Sequence, residues 1–351
     1  MDVLTIEKSR ISYSIFHAYF NIETLVTMDP IITWILPVKN GMPFLPETLR
    51  SLTEQTENRT FVIAWDNGST DGTIKTLREW IPSQLPGQVV ADRPSQFLSQ
   101  SLRDAVELAQ TPYCARIDAD DICHPERLAI QIEWLEKHPE VALIGSQVEF
   151  IDENGKRISE TNDLAESFSD IIDDFLFRCP ICHPTWLFRR DEIIAAGNYR
   201  NLGFHKFQDN ELLMRLVVNG HRIQNLPEPL IRYRVHRNSI TQQTRNSSEA
   251  QSNRNKLMVQ YAQSLFGIEP SRLRVLLDNE SSLSISDAWG IARGLSRFDS
   301  LQPTKRLRSP RFQRGLGSLL DQDDHLRQFV MAAIRADWPV ARNRLRRSFT
   351  G

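Results

Sequence analysis

From residue 31 onward two hydrophobic rhythms alternate along the chain. Short apolar runs, IITWILPV (31–38), TFVIAWD (60–66), QVV (88–90) and YCARID (113–118), are rich in β-branched and aromatic residues and read as strands. Between them PFLPETLRSLTEQT (43–56), TIKTLREWI (73–81) and FLSQSLRDAVELA (97–109) repeat apolar residues at helical spacing. Strand and helix in alternation predict a parallel sheet with crossover helices, an open α/β layout. HPERLAIQIEWLEKHPE (124–140) predicts a helix opened by Pro125, VALIGSQVEFID (141–152) a strand, and ENGK (153–156) a turn. Residues 183–240 mix short strands with a helix over QDNELLMRLVVNG (208–220).

The rhythm is absent at both ends. Residues 1–30 have mixed polarity and little period, so they are expected to be an N-terminal extension, with Met28 as an alternative start. Residues 31–245 form the expected α/β domain. Past residue 250 the strand signal fades, and helical runs separated by turns at Pro270, Pro303 and Pro310 predict a mostly helical C-terminal region over 250–351.

The chain has 351 residues, 40% hydrophobic and 25% charged, which is the composition of a soluble globular protein with a sizeable core. A net charge of -2 gives no general affinity for nucleic acid. Residues 301–351 carry 11 Lys and Arg against 4 Asp, and DWPVARNRLRRSFTG (337–351) sets Trp338, Leu345 and Phe349 among arginines. A solvated helical face explains such a tail, and so does peripheral contact with an anionic membrane surface. No apolar run approaches the roughly 20 residues of a membrane span, and MDVLTIEKSRISYSIFHAYF lacks the form of a secretory signal. The expected location is the cytoplasm, where thiols stay reduced.

CPICH (179–183) has the spacing of a c-type haem attachment site and, in its first four residues, of a dithiol pair or half a zinc site. A cytoplasmic chain argues against haem. Cys114 and Cys123, nine residues apart around an acidic cluster, make a poor second zinc half-site.

The acidic clusters carry more chemistry. In an open α/β sheet ligands bind beyond the carboxyl ends of the strands. DNGSTDGT (66–73) and DADD (118–121) both fall there, putting Asp66, Asn67, Asp118, Asp120 and Asp121 on one rim. Carboxylates packed this closely repel unless protons or a cation intervene. IDADD following a buried-type strand therefore reads as a site for Mg²⁺ or Mn²⁺, hard ions that bridge protein carboxylates to phosphates. DNGSTDGT alone fits a tight turn equally well, with Ser69, Thr70 or Asp71 capping the next helix.

Over residues 31 to about 241 the order of segments resembles the family 2 glycosyltransferases with the GT-A fold, a Rossmann-like nucleotide-sugar-binding domain, especially members that build bacterial polysaccharides. The matching segments are PVKNGMPFLPETLRSLTEQT, VIAWDNGSTDGT, ARIDADDICHPERLAIQ, HPEVALIGSQVEFIDENG, HPTWLFRR, GNYRN, QDNELLMRL and LIRYRVHRNSIT. The resemblance implies a metal-dependent, inverting hexosyl transfer from a nucleoside-diphosphate sugar, with UDP the expected nucleotide, to a glycan or lipid-linked acceptor. Pro37, Val38 and Asp66 would hold base and ribose, Asp118 would sit near ribose and metal, and Asp120 would bind the metal. His236 would complete the metal or diphosphate shell, unless it is a histidine satisfied at a strand end. Asp209 would be the catalytic base, although an acid at a helix N-terminus has a structural role as well. Cys179 and Cys182 would be small buried apolar residues. His183 would contact sugar or acceptor, with core packing an equal alternative.

Four positions depart from the family pattern. Asn67 stands where a second Asp is frequent, Gln208 where Glu is usual, and Gln96 and Arg103 where Gly and Asn are common. The last two flank the expected nucleotide pocket. A catalytically silent nucleotide-sugar-binding or scaffolding protein is the alternative function.

Overall fold

The run Ile32–Val38 forms β1, buried along its whole length. A strand covered on both faces needs helices on each side, and the next segments supply them. In this computed structural model, which describes residues 29–277 apart from 93–96, 160–162, 176–177, 204–205, 240–246 and 267, β1 is followed by α1 (Leu45–Thr53), β2 (Thr60–Asp66), α2 (Thr73–Trp80), β3 (Gly87–Val90), α3 (Leu98–Leu108) and β4 (Tyr113–Arg116). Strands β1 to β4 pair in parallel in the order β3-β2-β1-β4.

The second half of the sheet is mixed, beyond the wholly parallel expectation. It comprises β5 (Ile122–Cys123), β6 (Val141–Ile151), β7 (Arg157–Ser159), β8 (Leu187–Arg189) and β9 (Arg222–Arg234), continuing the order as β4-β8-β6-β9-β5. Strand β8 runs antiparallel to both β4 and β6, while β6 and β9 pair in parallel. The short run LFR between turns signals a strand weakly, and nothing local sets its direction. Interleaved helices are α4 (Arg127–Lys137), α5 (Phe168–Asp174), α6 (Arg190–Ala195) and α7 (Gln208–Val218), with α8 (Ser248–Phe266) and α9 (Pro270–Leu277) after the last strand.

Alternation along the strands divides the core in two. Trp34, Leu36, Val62, Ala64 and Ala115 point toward α1, α2 and α4. Ile35, Ile63, Trp65 and Cys114 point toward α3, α7 and α8, where Leu102, Leu212, Leu216, Met258, Leu265 and Phe266 share one apolar cluster. Gly145 in β6 lets the turn carrying His183–Thr185 press onto the sheet. A Cβ there would lie 2.6 Å from Asn225 Oδ1 and 2.7 Å from Thr185 Oγ1. Among the described residues no helix is long and apolar enough to cross a membrane. The N-terminal extension, most of the C-terminal region and its basic tail lie outside the described residues.

Candidate active site

The chain leaves β1 toward β2 on one side and returns to β4 on the other, so the crevice between β1 and β4 is the sheet's switch point. Strand β4 stops pairing at Arg116, opposite Ile35, whereas β1 continues beside β2 as far as Val38. Pro37 and Val38 therefore border an opening on the β4 side, where the missing N–H of Pro37 breaks no ladder bond. Asp66, opposite Val38, is fully buried. Its Oδ2 accepts from the amides of Gly68 and Ser69, both at 3.0 Å, and its Oδ1 has no partner among the described residues.

The predicted helix cap after Asp66 survives as one bond, Asp71 Oδ1 accepting from Thr73 N at 3.2 Å, and the same loop also forms a clasp with its neighbour. Ser69 Oγ accepts from Asn40 N at 2.8 Å, Thr73 Oγ1 from Gly41 N at 2.8 Å, and Asp71 Oδ2 from Met42 N at 3.0 Å. Asn40 returns a bond, its Oδ1 accepting from Thr70 N at 2.9 Å. These side chains bond the facing loop's amides, and Gly72, which has no side chain to cap with, stands at the N-cap of α2. Asn67 ties the loop to α3, its Nδ2 donating to Ser101 Oγ at 3.2 Å. Arg103 lies on the solvent side of α3, its Nε 3.0 Å from Glu107, while Gln96 lies outside the described residues.

The acidic loop divides its labour. Asp118 lines the cleft, and its Oδ1 accepts from Arg116 Nη2 at 2.6 Å. Burial pushes its carboxyl up, Arg116 opposes that, and Asp120 adds to it. Asp120 Oδ2 lies 2.8 Å from His236 Nε2. Asp121 has turned under the loop and does not share the rim: its Oδ1 accepts the amide of Arg234 at 2.8 Å, and burial with two neighbouring acids holds its carboxyl well above the usual range. Buried Arg234 fixes the arrangement. Its Nε donates to Asp120 O at 2.9 Å, Nη1 to the carbonyls of Asp152 and Glu153 at 3.2 Å each, and Nη2 to Glu47. Phe44 lies 4.7 Å beneath that guanidinium and 5.0 Å from the ring of His236.

Asp209 stands in the first turn of α7, after Phe207 at φ 66. That left-handed conformation is uncommon outside glycine, and here it sets the entry angle of the helix. Burial pushes the Asp209 carboxyl up, while backbone amides, the Cys179 thiol and Arg116 hold it down. Cys179 Sγ lies 3.7 Å from Asp209 Oδ2. Cys179 thus packs against the core and also touches the candidate base, a role the expectation of a small apolar filler did not include. Burial raises both the Cys179 and Cys182 thiols well above their ordinary range, so they remain protonated. Beside burial, the negative charges of Asp121, Asp118 and Asp209 push the Cys182 thiol up.

His183 is nearly buried, its Nε2 2.8 Å from Tyr199 Oη and its ring edge-on to Trp186 at 4.5 Å. Burial and the charge of Arg116 hold it well below its ordinary range, so it is neutral. Behind Asp209 lies a buried network that sequence reasoning missed. Arg215 binds Glu211 through Nε at 2.9 Å and Nη2 at 2.8 Å, donates to the carbonyls of Ala196 and Asn198, and thereby holds the turn carrying Tyr199. Tyr261 on α8 donates to Glu211 Oε1 at 2.8 Å.

Among the described residues no group of three or more His, Cys, Asp or Glu is arranged to hold a metal by itself. The donors at the acidic loop fit a different kind of centre. Asp120 and His236 offer one carboxylate and one imidazole at an open cleft, as in sites where Mg²⁺ or Mn²⁺ takes its remaining ligands from substrate phosphates and water.

An open sheet with this order and an acidic loop at its switch point is the GT-A arrangement. The model for glycosyl transferase family 2 matches residues 33–196, and the amylovoran biosynthesis glycosyltransferase AmsE of Erwinia amylovora is 33% identical over 192 residues, 54% of this chain and 70% of that protein. The chain belongs to glycosyl transferase family 2. The putative glycosyltransferase EpsE of Bacillus subtilis is 26% identical over 214 residues, 58% of this chain and 73% of its own. The crystal structure of S. aureus TarS 1–349 in complex with UDP-GlcNAc is similar at a TM-score of 0.56 and 16% identity, over 90% of each chain, a likeness of fold.

Proposed function

We propose that residues 31–245 carry a metal-dependent, inverting hexosyl transfer from a nucleoside-diphosphate sugar to a hydroxyl of a growing glycan or lipid-linked acceptor. The observation that supports this reading is the Asp120–His236 pair, 2.8 Å apart, beside the Asp118 that Arg116 holds at 2.6 Å, in a chain of this family. Pro37, Val38 and Asp66 hold the base and ribose. The unpartnered Oδ1 of Asp66 is a ready acceptor for an imide N–H, as uracil presents, and a complex of TarS with UDP makes UDP the first nucleotide to try. Asp118 orients the ribose beside the diphosphate. Asp120 and His236 would hold Mn²⁺ or Mg²⁺, which neutralises charge on a diphosphate leaving group.

Asp209 takes the proton of the acceptor hydroxyl as that oxygen forms its bond to the anomeric carbon. The bond from that carbon to the diphosphate oxygen breaks with its electron pair, and configuration inverts. Neutral His183, held by Tyr199, offers a polar edge to sugar or acceptor. The reading places the protein in the cytoplasm, with the basic tail as a peripheral contact to the membrane where a lipid-linked acceptor resides.

The test is thermal stability with UDP, GDP, dTDP and CDP, each with and without Mn²⁺, since a ligand that binds only the folded state raises the midpoint with its affinity. A Mn²⁺-dependent rise with one nucleotide, lost in Asp120→Ala, is expected. No rise with any of the four would count against the donor site.

A further inference from the structure

Four arginines are buried among the described residues: Arg116, Arg127, Arg215 and Arg234. Three of them use every guanidinium nitrogen. Arg127 bonds Gln131, Cys123 and two carbonyls, and Arg215 and Arg234 do likewise with their own partners. Arg116 is 1% exposed, and only its Nη2 is engaged, by Asp118. Its Nε and Nη1 have no partner among the described residues.

A buried charged donor without an acceptor is costly, and native proteins keep few of them without a reason. The main chain of Arg116 cannot shift to relieve it. Its amide donates to Trp186 O at 2.8 Å, and its carbonyl accepts from Arg127 Nη2 at 2.8 Å. The side chain is therefore held in place, with spare donors, where the strand runs out into the crevice. Asp118, held by Nη2 at 2.6 Å, fixes one side of the guanidinium, and the charge of Arg116 also acts on Asp209, His183 and Tyr199. In any transfer to a base-activated hydroxyl, the group lying between diphosphate and base is the sugar being moved.

We propose that Arg116 is a specificity-determining residue, whose free Nε and Nη1 donors engage hydroxyl oxygens of the transferred sugar while Nη2 keeps Asp118 in position. This rests on the function proposed above. Fixed donors beside Asp118 would reward a sugar whose hydroxyl reaches them and penalise the epimer that points it elsewhere, because the donors then stay empty.

The experiment compares wild type, Arg116→Gln and Arg116→Lys by calorimetry with Mn²⁺, using UDP, GDP, UDP-glucose, UDP-galactose, UDP-GlcNAc and GDP-mannose. Arg116→Lys keeps a positive charge beside Asp118 and loses the planar set of donors, so it remains informative if the Gln variant folds poorly. Both variants should lose about tenfold or more in affinity for the preferred sugar nucleotide, a change of ~1.4 kcal/mol or more. In Arg116→Lys, which keeps a positive charge beside Asp118, the free nucleotide should lose far less than the sugar nucleotide, whereas Arg116→Gln, which releases Asp118, weakens both; in each variant preference between the epimeric UDP-hexoses should flatten. Equal losses for free nucleotide and sugar nucleotide in both variants would mean that Arg116 only holds Asp118, and unchanged selectivity would likewise overturn the inference, with the sugar transfer proposed above left standing. A wild-type protein that binds none of the six would instead sink the donor site itself, and this inference with it.

Discussion

The two walls of the cleft are built in different ways. On the β1–β2 wall each functional group is held by a loop amide close by in sequence or by the loop directly facing it, as in the Asp66 bonds to Gly68 and Ser69 and the clasp from Asn40–Met42 to Ser69–Thr73. On the α7 wall, Asp209 has one local bond, its Oδ1 accepting from Asn210 N at 2.8 Å, and is otherwise surrounded by side chains brought from afar: Cys179 is 30 residues away, and behind it Tyr261 closes onto Glu211 from 50 residues away. A wall made of backbone bonds tolerates changes of side chain around it. A wall made of buried charge fails when one member is removed.

Four substitutions on the α7 wall probe that contrast. Asp209→Asn removes the proposed base without removing volume, and transfer should fall by about 10²- to 10⁴-fold while the Mn²⁺-dependent nucleotide shift expected of the donor site persists. Near-normal turnover in this variant would remove Asp209 from the mechanism. Arg215→Met leaves Glu211 buried beside a half-exposed Arg200 at 3.6 Å. Loss of one partner of a buried pair costs about 3–5 kcal/mol, so chemical denaturation should show the largest stability change of the set, far above any single loss in the Asn40–Ser69 clasp. Tyr261→Phe deletes one hydrogen bond and should cost about 1 kcal/mol, with KM for the donor unchanged; a donor KM that rose with it would show the two walls to be coupled.

The smallest effect expected is a displacement in pH. Burial raises the Asp209 carboxyl, and a base acts only when deprotonated, so the acid limb of kcat/KM should lie above the range of an ordinary carboxylate. The Cys179 thiol holds that carboxyl down. Cys179→Ala should therefore move the limb to higher pH and leave the rate on the alkaline plateau nearly intact. A limb that stayed in place would show that the thiol does not donate to Asp209 in solution.

The same division decides what was legible in the sequence. Asp66, Asp118 and Asp120 follow strands directly, so periodicity alone set them on the rim of the sheet. The parallel half of the sheet was legible for the same reason, since each strand and its crossover helix are neighbours in the chain. Asp121 looked like its neighbours, and nothing local told that it would turn inward to an amide 113 residues on. Glu211 and Arg215 have the spacing of a solvated surface pair, and the turn at Ala196–Asn198 together with the docking of α8 buries them. Arg116 did leave a trace: an arginine within YCARI is a charge in a strand otherwise fit for the core, and Arg234 within LIRYRV is another. A charge placed where burial is certain marks a residue whose partner must be sought elsewhere.

Arg234 also bears on how the protein comes into being at the ribosome. Its main-chain amide and guanidinium hold Asp121 and Asp120, and the latter contact spans 114 residues. At about 5–20 residues per second of translation, the acidic loop emerges several seconds to some twenty seconds before the residue that shapes it. Through that interval the nascent chain carries a cluster of acids without its organiser, so the acidic loop takes its shape only once β9 has emerged.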